Sequence, residues 1–420
     1  MVTYAQLRAA KPDRWLGAAD DLLTVAKQAE RTVSGIHANG IRALDEHWSD
    51  ATGSLARATL TAVADRMVNL AVLVRGAATA LYSLGEAIAI AQREAEAAVE
   101  FAYELGLTVD GNGRVGFPPD YLAHADIRLR VLERTQGMIA DALTAAAQAD
   151  QSCVDALERV AVDPDLISKE NAQARQSDAG RMALQELRNQ LPDGLNPQQV
   201  EQWWQALTER QRENLMRAVP VELCNLPGFP ESVKKQLTDD GRGYDPVQTV
   251  RWALANAGNS DIDVFSNNCA NFVSHALRNG GLEDKSSLWN PTTRSGGNWG
   301  TSLSGNLNVA SGAGLTHTRS WYNADAQRRF FLDHGGARIT PESAKPGDIV
   351  YFNHADGPAE NPDGKSFHTA VVTAVLPDGE VLYTQHNPNV ANLSLQGRLP
   401  TRADADGGQD FTIMRPKQTW

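Results

Sequence analysis

The feature that most constrains this chain is a long run of apolar residues spaced alternately three and four positions apart. Such spacing gives a helix one apolar seam, and the 3.5-residue period makes the helix supercoil slightly around a partner. Two shorter runs with the same rhythm cover residues 15–36 and 139–160. A polar, Gly-containing break at 47–53 separates the first two seams, so we predict an antiparallel helical hairpin with a third helix beside it. The long run consists of Leu60, Val63, Met67, Leu70, Val74, Ala77, Leu81, Leu84, Ile88, Ala91, Ala95, Ala98, Ala102 and Leu105.

The chain divides into three predicted parts: a helical hairpin or bundle at 1–162, a short helical linker module at 163–242 and an α+β domain at 243–420. In the last part Gly and Asn increase, the helical rhythm stops, and β-type runs appear. Two of these runs flank Asp378-Gly379, a strong signal for an antiparallel hairpin. The many alanines in the first part leave self-association and a closed monomeric bundle equally open.

Composition excludes several classes of protein. The 420 residues are 42% hydrophobic and 21% charged, which is enough apolar material for cores. A net charge of -12 argues against nucleic-acid binding. No window approaches the roughly 18 consecutive apolar residues of a membrane span, and the first residues lack the pattern of a secretory signal. We therefore expect a protein that stays in the cytosol or leaves by a route that reads no cleaved signal.

Cys269 is the strongest candidate for a catalytic residue among three cysteines that are too far apart in sequence to suggest a disulfide framework. Polar residues 266–268 precede it, and apolar residues at helical spacing follow it, which indicates a helix that begins almost at Cys269. Free N–H groups and the helix dipole favour the thiolate there. The alternative is a buried core cysteine, which is the reading that we give to Cys153 and Cys224.

His368 is the best partner for this sulfur, because it opens a β-type run that can hold an imidazole rigidly. The return strand ends at Gln385-His386-Asn387, so His386 or Asn387 could fix the tautomer of His368. The spacings of a zinc site and of a phosphate loop are missing, so we predict no metal and no cofactor. Tryptophans could line a substrate groove, although core packing is an equally good reading; they are Trp289, Trp299 and Trp321.

Residues 243–420 resemble the amidase domain of the NlpC/P60-like, papain-like cysteine hydrolase superfamily. The resemblance rests on the order of several motifs, which are Tyr244-Asp245, Asn268 to Leu277, Ser320-Trp321-Tyr322, Lys345 to Phe352, Phe367 to Val372 and Gln385-His386-Asn387. It implies a papain-like fold with Cys269 as nucleophile, His368 as base and His386 as third residue, acting on amide bonds such as those of peptidoglycan stem peptides. The family usually has Asp where this chain has Asn268; if that Asp only caps the helix, Asn replaces it well, and if its charge is catalytic, activity is impaired.

The first part is similar to the WXG100-like helical hairpins of type VII secretion in actinobacteria. Trp48 occupies the turn, Asp50 stands where that family has Gly, and Tyr82 to Glu86 matches a Tyr-x-x-x-acid export pattern. Hairpin, linker and enzyme together resemble the layout of a polymorphic toxin. The resemblance implies secretion, with the type VII machinery or a helical-hairpin partner and an immunity protein as partners.

Three hypotheses follow. The first is a secreted cysteine amidase or peptidase that acts as a toxin effector or cell-wall hydrolase. The second keeps the same residues but performs deamidation or acyl transfer on a protein in a target cell. The third is an export or interaction protein whose tail has lost activity.

Overall fold

The computed structural model describes residues 2–118, 125–192, 194–285, 297–301, 317–354, 364–402 and 409–420. The chain forms two compact units. The helical unit consists of Met1–Gly194 and Gln202–Gln211, and the C-terminal unit of Leu195–Glu201 and Arg212–Trp420. A helical N-terminal region and a C-terminal region with an antiparallel sheet confirm the predicted multidomain, α+β organisation.

Long helices dominate the helical unit. A π-helical turn, Ile36–Ile41, joins the second helix to the third, and a small antiparallel hairpin, β1 (Thr108–Val109) with β2 (Val115–Gly116), follows the fourth. Two short helices, α7 and α8, contribute residues to both units. The helices are α1 (Tyr4–Ala9), α2 (Pro12–Gly35), α3 (Arg42–His47), α4 (Ala51–Glu104), α5 (Ala125–Val160), α6 (Lys169–Asn189), α7 (Pro197–Ala206) and α8 (Glu209–Ala218).

The 54-residue α4 is the core of the helical unit. Its interior positions are mostly small, which lets neighbouring backbones approach closely. A Cβ added at Gly76 would lie 2.9 Å from Val160 Cγ1 on α5 and 3.3 Å from Gln176 Cα on α6. The helix begins where Asp50 accepts the N–H of Gly53 at 2.8 Å, next to the partly exposed Trp48.

The predicted linker segment, 163–242, begins with a helix that packs in the helical unit. On α6, Ala172, Ala179 and Leu184 are buried. The amide of Asn69 on α4 donates to the carbonyls of Pro164 and Ile167 at 3.0 and 2.7 Å, which ties the connection between α5 and α6 to the core. Cys153 is buried in the same core, and burial raises the pKa of its thiol to about 11, as expected for a packed hydrophobic residue.

Among the described residues, α4 alone is long and apolar enough to cross a membrane. This is weak evidence for a span, because the core helix of a globular protein has the same length and composition. In this structure 67% of its most apolar window is buried.

Acidic side chains lie inside the helical unit. The guanidinium of Arg75 donates to both carboxylate oxygens of Glu30, at 2.7 and 3.0 Å. Among the residues that the structure describes, no cation pairs with Glu94. Burial raises the pKa of Glu94 from an ordinary 4.5 to about 7, an effect that the neighbouring Trp203 side chain opposes and the charge of Asp141 reinforces.

The C-terminal unit is built on a six-stranded antiparallel sheet with the order β3-β8-β4-β5-β6-β7. Its strands are β3 (Ala337–Ile339), β4 (Ile349–His354), β5 (Ser366–Val375), β6 (Val381–Gln385), β7 (Val390–Ser394) and β8 (Gln409–Arg415). Its helices are α9 (Pro220–Asn225), α10 (Glu231–Thr238), α11 (Pro246–Asn256), α12 (Cys269–Asn279), α13 (Arg319–Tyr322), α14 (Ala324–Asp333) and α15 (Leu395–Arg402).

Each face of the sheet has its own apolar core, because successive residues of a strand point to opposite sides. Ile349, Tyr351 and Val371 pack in the core that contains α12. Residues of the other parity, among them Phe352 and Ala370, pack in the core that contains Leu395 of α15. The sheet is therefore covered on both faces.

A buried ion cluster explains the Lys-Pro-Gly-Asp motif at 345–348. Asp348 is fully buried before β4 and lies 3.0 Å from Arg242 Nη1. It also accepts two hydrogen bonds from Arg415 of β8, at 2.9 and 2.8 Å, and the N–H of Lys345 at 2.9 Å. One carboxylate thus joins the segment before α11, the start of β4 and the last strand.

The raised pKa of Glu94 predicts a pH-dependent stability. Between about pH 4.5 and 7 the folded carboxyl holds a proton that the unfolded chain has released, so the free energy of unfolding falls as pH rises through this window. Glu94→Gln removes the penalty, and we expect it to raise the free energy of unfolding at pH 8 by about 1 to 3 kcal/mol, with little effect at pH 4.5. Urea titrations at the two pH values measure this. The exposed Glu96→Gln is the control; equal effects of Glu94→Gln at both pH values would contradict the prediction.

Removing the charge at the centre of the ion cluster should destabilise the C-terminal unit. Asp348→Asn leaves two guanidinium groups without their shared carboxylate, and we expect a loss of about 3 to 5 kcal/mol. Amide hydrogen exchange in β4 and β8 reports this unit separately from the helices. The exposed Asp239→Asn should change protection by less than about 0.5 kcal/mol, and unchanged protection in Asp348→Asn would show that the cluster is not needed.

Candidate active site

The candidate nucleophile Cys269 is the first residue of α12, as the sequence predicts. A short loop leads into it: the Asn267 side chain accepts the N–H of Cys269 at 3.3 Å. Asn268 makes no side-chain cap to the helix. Its amide instead pairs with the backbone of Phe265, accepting the N–H at 3.1 Å and donating to the carbonyl at 2.7 Å. This closed pair fixes the turn that delivers Cys269 to the helix start.

The sulfur of Cys269 is almost covered. The residue is 3% exposed and belongs to the core around α12. Burial raises the pKa of its thiol, while hydrogen bonds from the backbone N–H groups of Thr369, Ala270 and Cys269 itself act in the opposite direction. Burial therefore favours the thiol over the thiolate, and on the sheet the sulfur contacts the N–H of Thr369 on β5.

His368 is the residue before Thr369, and its ring lies on the other side of the strand. It pairs with Phe352 across β4 and β5, with 5.7 Å between the ring centroids. The ring is 6% exposed, and its Nε2 lies 2.9 Å from Oε1 of Gln385. No hydrogen bond joins the Cys269 sulfur to this imidazole within the described part of the chain. The backbone N–H of Thr369 thus faces the sulfur, while the ring of the preceding residue, His368, lies with Phe352 and Gln385 on the opposite face of the sheet.

The expectation that His386 orients His368 is wrong. Nδ1 of His386 lies 2.8 Å from the carbonyl of Ala257, and Nε2 lies 2.6 Å from Oδ1 of Asp263. The ring stacks on Phe272 of α12 at 5.6 Å. His386 therefore anchors the segment before Cys269 on the α12 face of the sheet. Asn387 also contacts this segment, because its Oδ1 accepts the N–H of Asn268 at 3.3 Å.

A β-bulge explains why Gln385 replaces His386. Near the hairpin turn Val375 pairs with Val381 and Ala374 with Leu382; beyond the bulge Val372 pairs with Tyr383. The extra residue on β5 shifts the phase by one position. His368 consequently shares a face with Gln385, and His386 falls on the opposite face. Sequence reasoning missed Gln385 because the bulge leaves no signal in the run of small and β-branched residues.

The tryptophans do not form the predicted groove. Trp299 and Trp321 are both fully buried, which confirms the packing alternative. Their indole N–H groups donate within the core, Trp299 to Ser274 at 3.1 Å and Trp321 to Asn271 at 2.7 Å. Trp289 lies outside the described residues. The aromatic residues nearest the Cys269 turn are instead Phe265 and the partly exposed Tyr322, stacked at 4.7 Å.

A buried network of hydrogen bonds around Gln327 holds the start of α12. Gln327 of α14 donates to the carbonyl of Ala270 at 3.1 Å and to the hydroxyl of Ser274 at 2.8 Å. It accepts from the hydroxyl of Tyr351 at 3.0 Å, and burial raises the pKa of this phenol well above its ordinary value. The network holds the first turn of the helix against β4. No cluster of three or more potential metal ligands occurs among the residues that the structure describes.

The C-terminal unit thus combines a cysteine at a helix start with an imidazole and an amide side chain that contact each other on the neighbouring strands. Residues 243–406 match the family model described as "putative amidase domain". No curated protein and no solved structure matches the chain. Amide hydrolysis is therefore the activity that the family match suggests for the C-terminal region.

The amide pair at Asn268 predicts that Asp is unfavourable at this position. In Asn268→Asp a carboxylate replaces the group that donates to the Phe265 carbonyl, so two acceptors face each other in a buried turn. We expect a loss of about 1 to 3 kcal/mol, which exceeds the gain of roughly 0.3 to 1 kcal/mol from a charge at a helix N-terminus. Thermal unfolding measures it.

Asn267→Asp is the matched control. It keeps the oxygen that accepts the N–H of Cys269 and adds the same charge one residue earlier. We expect this variant to be as stable as the wild type or slightly more stable. If Asn268→Asp behaves in the same way, the amide pair does not stabilise the turn.

Proposed function

We propose that the C-terminal region is a cysteine-dependent amidase of NlpC/P60 type with a papain-like arrangement. Cys269 is the nucleophile, His368 the base and Gln385 the residue that orients His368. The single observation that carries this proposal is the 2.9 Å contact between His368 Nε2 and Gln385 Oε1. His368 comes directly before Thr369 on β5, and the N–H of Thr369 faces the Cys269 sulfur. The family match supports the reaction class.

The tautomer of His368 supports its role as base. With an amide oxygen at Nε2, the neutral ring carries its hydrogen on Nε2 and a lone pair on Nδ1. Nδ1 takes the thiol proton as sulfur attacks the carbonyl carbon, and N–H groups at the start of α12 stabilise the oxyanion. The C–N bond then breaks, and the imidazolium gives the proton to the departing amine. Water hydrolyses the thioester, and the free thiol returns.

Access to the sulfur requires a local change. With 3% of Cys269 exposed, the surrounding groups have to shift before a carbonyl carbon can reach the sulfur. The proposal also requires the His368 imidazole, which lies with Phe352 and Gln385 in this structure, to reach the sulfur when substrate binds; catalytic hydrogen bonds commonly tighten only at that stage.

For the substrate we propose amide bonds of peptidoglycan stem peptides, on the resemblance of residues 243–420 to NlpC/P60-like enzymes. For the helical unit we propose a WXG100-like export role in type VII secretion, with the secretion machinery and an immunity protein as partners. The turn at Trp48 supports it, as does the Tyr82 to Glu86 pattern on α4. The whole chain would then be a secreted toxin effector or cell-wall hydrolase.

The proposal predicts that amide cleavage depends on Cys269. The full chain is incubated with peptidoglycan fragments, and the products are measured by mass spectrometry. We expect cleavage by the wild type and a loss of at least about 10³-fold in Cys269→Ala. Cys224→Ala, which removes the other free thiol of the C-terminal unit, should leave cleavage unchanged.

Other outcomes would identify the alternatives. A gain of about one mass unit without chain cleavage, seen on a protein substrate, would indicate deamidation, and a mass increase equal to a transferred group would indicate acyl transfer. Equal products from wild type and Cys269→Ala would reject the nucleophile. If the wild type changes neither the peptidoglycan fragments nor the protein substrate, the tail is an inactive passenger.

A further inference from the structure

We infer that Arg398 is a positioning residue for His368 and acts on it through Gln385; this inference rests on the proposed function of the site. Arg398 belongs to α15, which covers the face of the sheet opposite to α12. Its Nη1 donates to Oε1 of Gln385 at 2.7 Å, the same oxygen that faces His368 Nε2 at 2.9 Å. All three residues are buried, with exposed fractions of 7%, 1% and 6% for Arg398, Gln385 and His368.

The guanidinium determines which atom of Gln385 faces the imidazole. Arginine has donors and no acceptor, so the amide atom that meets it has to be the oxygen. The imidazole nitrogen that meets the same oxygen has to carry a hydrogen. A flipped amide would present its NH₂ group to two donors at once. Arg398 therefore fixes His368 as the Nε2–H tautomer, which leaves the lone pair on Nδ1.

Arg398 is itself held in place. Its guanidinium carbon lies 4.0 Å from the ring centroid of Phe352, the cross-strand neighbour of His368. Nη1 also donates to the hydroxyl of Tyr383 at 3.0 Å. Cation–π contact and two hydrogen bonds from a buried guanidinium hold the charge close to the imidazole. Like charges repel at this range, and this is the electrostatic effect that the variants below test.

The other ionisable groups around His368 come from each element packed on it. Tyr383 lies on β6, and Cys269 lies on α12 next to Thr369. Asp325 of α14 accepts the N–H of Ser366 at the start of β5. Among these groups, Arg398 is the cation that bonds to the acceptor of His368.

The test measures the tautomer and pKa of His368 by NMR of the full chain with ¹⁵N-labelled histidine, assigned through His368→Gln. We expect the Nε2–H form in the wild type. Arg398→Met keeps an apolar stem on Phe352 and removes the charge. It should mix the two tautomers, raise the pKa of His368 by about one unit, and lower kcat about tenfold with little change in KM. Arg398→Lys should return the pKa toward the wild-type value.

Two further variants keep the test decisive. In Gln385→Glu a carboxylate oxygen faces both Arg398 and His368, so this variant should preserve the Nε2–H form. Its negative charge should raise the pKa of His368. This variant replaces Arg398→Met in the test if Arg398→Met fails to fold. Tyr383→Phe removes only the second acceptor of Arg398 and should leave the tautomer unchanged. A wild-type tautomer and pKa in Arg398→Met would overturn the inference. The NMR measurement needs no substrate, so it tests the role of Arg398 independently of the amidase proposal. Failure of the amidase proposal would instead appear as equal products from wild type and Cys269→Ala.

Discussion

The candidate site depends on the alternation of side chains along β5. Thr369 and Val371 face α12 and the sulfur, whereas His368 and Ala370 face α15. A slip of one residue would exchange the two faces and separate His368 from Gln385 and from Arg398. The register is fixed at the other end of the strand, where Val372 exchanges two backbone hydrogen bonds of 2.8 Å with Gly347 and Asp348. The Asp348 ion cluster therefore sets the phase of the strand that carries His368.

Local sequence signals predicted the elements that depend on local physics. The three-four spacing identified α4, and the polar turn before Cys269 identified the start of α12, because caps and seams act within a few residues. The partner of His368 depends on the bulge between Val372 and Ala374, which no local pattern marks. Without that extra residue, His386 would share the face of His368.

Buried polar groups were also beyond prediction, since their roles depend on partners that are distant in sequence. The sequence makes Trp299 and Trp321 candidates for a substrate groove. In the structure their indole N–H groups donate to Ser274 and Asn271 within the core. Asn268 looks like a substitute for a capping Asp, but its amide both donates to and accepts from Phe265. A carboxylate cannot do both, so the presence of Asn at this position has a structural reason.

The surroundings of the proposed nucleophile favour its neutral form, because burial disfavours the Cys269 thiolate. Proton transfer from Cys269 to the proposed base becomes favourable when the sulfur forms a bond to a carbonyl carbon, because the negative charge then moves to an oxygen that the N–H groups at the helix start can stabilise. The reactivity of such a site is tied to bound substrate, and a thiol that is inert toward small electrophiles in the free protein is the expected consequence of this balance.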